Sequence, residues 1–359
     1  MIGKRLKLAR EASGLSLREL EAALQKLVSA QAIGKYERDE MMPSSAVLLA
    51  LAKALNVPPD YLLSTQDIEL SGVDFRKAST AASKEERAVE AMVLDHVERY
   101  LMIEELLPGQ DHRWAVPHSA EFGIAAVEDA ERAANALRKL WKLGIDPIPG
   151  MAELLEERGV KVVALNLPES VSGSKAYVKC ATAVDVPVVV VNKTHTGERQ
   201  RFTLAHELAH LVLRFNDGFE EKKQEKAADR FAGAFLMAKE MMLSLFGNKR
   251  TAVSLGELIR LKQLFKVSAA SIVVRCRQLD IISGAVYARL WAQIKALNWN
   301  GPDTREPSPI AKEEPMRMQR LCFRAVAEGA ISEAKAASLL RITTRSLDRQ
   351  LSAQEPMTA

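Results

Sequence analysis

The stretch Arg201–Leu213 reads RFTLAHELAHLVL, and its reading decides what fold must surround it. His206 and His210 stand four residues apart in an apolar helical pattern, with Glu207 directly after the first. At about 100° per residue the two histidines project from one face, roughly 40° apart and one turn along. That spacing suits two imidazole nitrogens ligating one zinc ion, and it turns the glutamate toward a metal-bound water instead of the metal. The opposing reading is a buried helix whose histidines bond backbone carbonyls. Two imidazoles and a carboxylate in such company would each need a partner, which makes that arrangement costly.

Catalytic zinc takes three protein ligands and leaves a fourth position to water, so a third ligand must follow. Downstream, EKAADRFAGAFLM reads as a second apolar helix with Ala228, Phe231, Ala232 and Phe235 on its inner face. Glu225 and Asp229 lie four apart on one side of it. Glu225 is the candidate third ligand. Asp229, one turn along, would accept the free ring N–H of a zinc-bound histidine and so fix its tautomer. Glu220 and Glu221 compete for the ligand role from a charged loop that would hold a site less rigidly. One Zn²⁺ per chain is the expected cofactor. The expected chemistry is amide hydrolysis, with zinc acidifying its water and Glu207 carrying the proton to the leaving amine.

The whole chain is consistent with such a site. It has 359 residues, 48% hydrophobic and 27% charged, enough for two or three well-packed domains. A net charge of +4 makes any basic surface local. Cys180, Cys276 and Cys322 lie far apart without a CxxC pair, which argues against a disulfide framework or a cysteine zinc knuckle. The N-terminus MIGKRLKLAREASG lacks an apolar signal core, and runs such as VPVVVV are too short to span a membrane. A cytoplasmic location is expected.

Outward from the histidine helix, VKVVALNL, SKAYVKC and VPVVVVN read as strands, and the last runs almost directly into that helix. In zinc peptidases of this design an edge strand beside the site holds substrate by strand addition; an ordinary core strand is the equal alternative. The expected fold is mainly α with a small β-sheet (α+β). Its parts are an all-α segment over residues 1–64, a linker over 65–83, a connecting helix over 84–107, a peptidase domain over 124–285, a Pro- and charge-rich linker over 300–315 and a helical region over 316–351. The apolar stripe of the connecting helix, including Val93, Val97 and Tyr100, reads as packing against a neighbouring domain or as a dimer seam. His195, His112 and His118 fall in loops and read as solvated.

RQRFTLAHELAHLVL followed by EKAADRFAGAFLM resembles the ImmA/IrrE family of bacterial and phage metallopeptidases, over roughly Val127 to Gln278. The resemblance implies a gluzincin-like zinc site in which His206 and His210 match the histidine ligands, Glu207 the catalytic glutamate and Glu225 the acidic ligand. It also implies a substrate class, helix-turn-helix repressors whose cleavage relieves repression of mobile-element or stress genes. Ala238 and Lys239 follow Met237 where the family often has a proline, which leaves the end of that helix open.

The first segment carries its own pattern. LSLRELEAAL opens with Ser16 as a helix cap and Glu19 three residues on, a capping box. In VSAQAIGKYE, Ser29 can cap the next helix, Ile33 and Tyr36 face the core, and Ala30, Gln31, Gly34 and Lys35 point outward. Short polar side chains at the N-terminal end of a reading helix suit the major groove. Gln31 can bond adenine bidentately, and Arg18 or Lys35 can take phosphate or guanine. This region resembles the XRE (Cro/C1-type) helix-turn-helix domain through LSLREL, Gln31, Ile33, Glu37, Pro43 and LAKALNVPPDYLL. Nine Lys/Arg against seven Asp/Glu give the segment only +2, so a homodimer would strengthen its hold on operator DNA. The tail AEGAISEAKAASLLRITTRSLDRQL repeats the rhythm of helix, break and helix, with Arg341, Arg345 and Arg349 at helical spacing as one basic face, which suggests a second DNA- or partner-binding unit; a solvated arginine face on a C-terminal packing helix is the equal alternative.

The expected protein is a zinc endopeptidase joined to an operator-binding domain that cuts a separate repressor, itself or a partner. The alternative is a transcription factor or antitoxin-like partner whose metal site is structural, sensory or silent.

Overall fold

Ser16 and Glu19 form the reciprocal capping box that their spacing predicts. Glu19 N–H donates to Ser16 Oγ at 3.2 Å and Ser16 N–H to Glu19 Oε2 at 2.6 Å, satisfying two amides at the start of a seven-residue helix. In the computed structural model, which describes residues 2–63, 68–71, 83–107, 109, 113–169, 171–180, 185–301 and 304–352, that helix is α2 (Leu17–Ala23). With α1 (Ile2–Ala12), α3 (Ala30–Glu37), α4 (Ser45–Ala54) and α5 (Pro59–Leu63) it encloses Leu6, Leu20, Ile33, Leu51 and Leu62, all fully buried. Helix α1 crosses α3 so closely that a Cβ on Gly3 would lie 2.5 Å from the Glu37 carbonyl oxygen. Arg10 locks the same pair through both oxygens of Glu37, at 2.6 and 2.9 Å.

Residues 65–83, which read as a linker, include a short strand, β1 (Ile68–Ser71). Its partner is the end of β4 (Gly173–Cys180), in antiparallel register from Ile68↔Cys180 to Ser71↔Tyr177. A four-residue strand is specified by its partner more than by its own composition, so nothing local announced it. The remaining residues of that linker, 65–67 and 72–82, and His112 lie outside the described residues. The long helix α6 (Ser83–Leu106) follows. It buries Val93, Val97 and Tyr100, and it packs against α1 and the C-terminal helices, so its stripe serves packing within the chain.

Next come β2 (Gly123–Ile124), α7 (Asp129–Leu140), α8 (Met151–Glu157), β3 (Lys161–Leu165), β4, β5 (Val186–Asn192), α9 (Gly197–Val212), β6 (Arg214–Phe215) and α10 (Glu221–Leu236). Helices α11 (Lys239–Phe246), α12 (Leu255–Phe265), α13 (Ala269–Gln278), α14 (Gly284–Ala296), α15 (Arg317–Ala327), α16 (Glu333–Leu340) and α17 (Thr344–Leu351) complete the chain. Two compact units result. One comprises Met1–His112, Ala176–Val186 and Met316–Ala359; the other comprises Arg113–Lys175 and Pro187–Pro315. The C-terminal helices thus belong with the N-terminal bundle. Among the described residues, no helix is long and apolar enough to cross a membrane.

In the second unit β5 pairs parallel with β3, Val189 opposite Val162 and Val190 opposite Val163, and its other neighbour is β4. It is therefore an interior strand, and the edge-strand reading of VPVVVVN is corrected. Valines buried along both faces made that strand legible as β but left its place in the sheet undetermined. Helix α9 packs on α8 and α10, and α10 packs on α7, with Phe231 and Phe235 fully buried between them. Each such phenylalanine contributes about 1.5–3 kcal/mol on burial. Helix α10 ends at Leu236, with Met237 as its C-cap. Arg138 Nη1 donates to the Phe235 carbonyl at 2.6 Å and Arg275 Nε to the Met237 carbonyl at 3.0 Å, so cations satisfy the last carbonyls.

Residues 304–315 read as a linker but are a strap woven into the second unit. Ile310 N–H donates to Glu198 Oε1 at 3.1 Å, and Glu313 N–H to Gln200 Oε1 at 3.0 Å. Glu313 also accepts from Arg201 at 2.6 Å and from the first two amides of α8, Met151 and Ala152, at 2.8 and 2.9 Å. The strap passes Gly197 so closely that a Cβ there would sit 2.2 Å from the Ala311 carbonyl oxygen. Proline and charge signalled irregular backbone correctly. They could not signal that the charges meet buried partners.

Candidate metal centre and DNA-reading surface

Thr196 caps α9, its side chain accepting from Arg199 N–H, and the helix runs unbroken to Val212. Leu204, Ala205, Leu208 and Ala209 are fully buried, so the helix is held on its apolar side. His206 and His210 emerge on the side facing α10, with their Nε2 atoms 3.1 Å apart. Glu225, in the second turn of α10, brings Oε2 to 3.4 Å from His206 Nε2 and Oε1 to 3.5 Å from His210 Nε2. The ligand atoms of these three residues lie within 4.8 Å of one another. Bonds of about 2.0–2.1 Å in a tetrahedron would separate neighbouring ligand atoms by about 3.3 Å, so the donor set fits one zinc ion in size and in chemistry.

Asp229 stands one turn beyond Glu225, with Oδ1 2.9 Å from His206 Nδ1. A carboxylate only accepts, so Nδ1 carries the hydrogen and Nε2 points at Glu225 and His210. Burial alone would lower the His206 pKa. Hydrogen bonds to Asp229 and Glu225, with the Glu207 charge beside it, outweigh burial and raise it to about 9. Glu207 is half-buried, next to His206 on α9. The loop acids Glu220 and Glu221 lie at the start of α10, where both are exposed, and Glu220 pairs with Lys223 at 2.9 Å.

Lys175 was not singled out by sequence. From the start of β4 its Nζ donates to the His210 carbonyl at 3.2 Å, bringing a cation to the backbone of the histidine helix. Alternation in SKAYVKC was its only signal, and a lysine in a strand ordinarily means solvent. His195, read as solvated, is buried at 6% exposure, its Nε2 donating to the Glu169 carbonyl at 3.1 Å. The fold covers the loop that carries it. His118 is exposed as expected.

In the N-terminal unit Ser29 caps α3, accepting from Ala32 N–H at 3.2 Å. Ile33 and Tyr36 are buried, Gln31 and Lys35 exposed, and Ala30 half-buried. Arg18 is exposed on α2. Gly34 does not face outward as expected. It is buried, with Leu17 and the Arg38 side chain within 4 Å of where its Cβ would be, because α2 packs against α3 there. The basic face expected of Arg341, Arg345 and Arg349 also divides. Arg341 is the left-handed C-cap of α16 at φ 56°, and it donates to Asp95 Oδ1 at 2.6 Å and to the Asn56 carbonyl.

Residues 155–277 match the peptidase family model described as the IrrE N-terminal-like domain, and residues 6–62 match the helix-turn-helix model. No curated protein matches the chain. The histidine helix, Glu225 and Asp229 fall inside the first match, and Arg18 to Lys35 inside the second. The chain therefore carries a helix-turn-helix domain followed by an IrrE/ImmA-like peptidase domain.

Proposed function

We propose that the chain is a cytoplasmic zinc-dependent endopeptidase that acts in gene regulation by cutting a helix-turn-helix repressor. The observation that carries this reading is the triangle of His206, His210 and Glu225 ligand atoms, with edges of 3.1, 3.4 and 3.5 Å, beside Glu207 on the same helix. Zinc held there supplies Lewis acidity, which acidifies water and polarises a carbonyl. Glu207 takes the proton of the attacking water and delivers it to the leaving amine, so that hydroxyl adds to the acyl carbon and hydrogen to nitrogen. Asp229 keeps the His206 ring in one tautomer and one orientation. The strap and the Thr196 cap hold α9 still while this happens.

The raised His206 pKa gives the reading a test apart from turnover. Below about pH 9 a proton occupies the imidazole that an ion needs, so zinc uptake expels it. Zinc affinity should rise about tenfold per pH unit through neutral pH and level off above the His206 pKa. Calorimetry in buffers of different ionisation enthalpy reads the released proton, and uptake without release at pH 7 would count against this ligand set. Asp229→Asn, which can present the wrong group to Nδ1, should weaken zinc binding by about 10–100-fold.

The helix-turn-helix domain places the chain on operator DNA, a contact that a homodimer would double. Gln31 and Lys35 are exposed on α3 and available to bases and phosphates. Gln31→Ala with Lys35→Ala should weaken a gel-shifted operator complex by at least tenfold, since a good bidentate base contact is worth about 1–3 kcal/mol. Unchanged binding would remove α3 from the reading role.

A further inference from the structure

We infer that α15, α16 and α17 form a second helix-turn-helix unit and that α17 contacts duplex DNA. Neither family match reaches these residues. Ser332 caps α16, accepting from Lys335 N–H at 3.2 Å, and Ala336, Ala337 and Leu339 turn its inner face into a buried core with Leu321, Cys322 and Ala325 of α15. Three residues, Arg341–Thr343, then turn the chain. Arg341 takes the left-handed conformation that such a turn needs, and Thr343 caps α17 by accepting from Ser346 N–H at 3.1 Å. Leu347 is the fully buried anchor of α17, and Gln319 of α15 donates to Gln350 of α17 at 2.9 Å. Three short helices, a three-residue turn and one buried leucine in the last helix are the parts of a DNA-reading unit.

The outer face of α17 favours DNA over a protein partner. Thr343, Thr344, Arg345, Asp348 and Arg349 are exposed on and just before its first two turns. No large apolar residue interrupts them, so the buried anchor that protein interfaces concentrate their energy in is missing from these two turns. Among the described residues neither Arg345 nor Arg349 has an ion-pair or hydrogen-bond partner, and one helical turn separates them. Two unengaged guanidiniums, Arg345 in the first turn and Arg349 in the last, share the outer surface of a short helix whose N-terminal end carries two hydroxyls, and they suit guanine edges and phosphates. Arg341, by contrast, is engaged inside the unit. Its bonds to Asp95 of α6 and to the Asn56 carbonyl fasten the turn to the N-terminal bundle, so one compact unit presents two reading helices, α3 and α17.

The inference does not depend on the peptidase reading and is separable from the reading of α3. The test selects bound sequences from a random 40-bp duplex library with four full-length chains. These are the native chain, Arg345→Ala with Arg349→Ala, Arg345→Lys with Arg349→Lys, and Gln31→Ala with Lys35→Ala. The selected duplex is then footprinted and titrated with salt. The expected result is a footprint in two parts. The arginine-to-alanine chain loses one part, binds at least tenfold more weakly and shows a smaller salt slope, by about one unit for each guanidinium that leaves a phosphate. The lysine chain recovers the slope but not base preference, and the Gln31 and Lys35 chain loses only the other part. Both arginines are exposed, so the thermal midpoint should not move. A footprint and slope unaltered by the alanine pair would overturn the inference. So would recovery of the alanine pair's defect only in binding to a protein.

Discussion

Glu207→Gln should lower peptide-bond hydrolysis by about 10²–10⁴-fold, the range that a positioned general base contributes. Glutamine keeps the shape and hydrogen-bonding reach of glutamate but does not take up a proton from water. The substitution leaves His206, His210 and Glu225 in place, with their 3.1–3.5 Å spacing. Zinc content should stay at one per chain, and operator binding should not change. New protein N-termini compared in cells carrying the native chain or the Glu207→Gln variant, with and without DNA-damaging stress, read both turnover and substrate. A neo-terminus in a helix-turn-helix protein that requires Glu207 is the expected outcome. Regulation that survives the substitution intact would sink the peptidase reading and favour a DNA-binding regulator with a silent metal site.

The second large effect lies at the other end of α9. Lys262 of α12 is 1% exposed, and its ammonium sits 2.5 Å from Glu198 Oε1 and 3.0 Å from Glu306 Oε2. Glu198 belongs to the first turn of the histidine helix, and Glu306 to the strap, where it also accepts from Ala269 N–H at 2.6 Å. Lys262→Ala removes the cation that pairs with both buried carboxylates. Breaking a buried pair in this way costs about 3–5 kcal/mol, a large share of the roughly 5–15 kcal/mol that holds an ordinary domain. Burial pushes the Glu198 carboxyl up, but Lys262 and backbone amides pull it below its ordinary value. That contribution is present above the unfolded carboxyl pKa and fades as pH falls through the folded one. Burial holds the Glu306 carboxyl above its ordinary value. Without Lys262 both carboxyls rise, so the deficit should be greatest near neutral pH and shrink as acid protonates them. Denaturant unfolding of the variant at pH 7 and pH 5 measures this, and a variant within about 0.5 kcal/mol of the native chain at pH 7 would refute it.

Much of the candidate site was legible because it is built from helices. A four-residue spacing sets direction on a helix without any knowledge of neighbours, so His206 with His210, and Glu225 with Asp229, could be paired by counting. Caps are equally local. Ser16 and Ser29 announce helix starts because each hydroxyl bonds an amide three residues on. The strands were recognised as strands from runs of valine, but their order was not. A hydrophobic run says that both faces are covered and leaves open which neighbour covers each edge. Hence β5 proved interior, and β1 went unseen inside a polar stretch.

By itself the sequence determined the N-terminal helix-turn-helix rhythm, the helix–break–helix rhythm of the tail, the histidine helix with its glutamate, and the acidic pair on the helix that follows. These depend on spacing within about two turns, which covalent geometry imposes. Tertiary structure decided what lies far apart in sequence. It brought Glu225 onto the two imidazoles, turned residues 304–315 from a linker into a strap, buried His195, and tied Arg341 to Asp95 while leaving Arg345 and Arg349 exposed. The physical reason is the same in each case. A polar or charged side chain carries no local mark of whether it meets water or a buried partner, and only the packing of distant segments sets that choice.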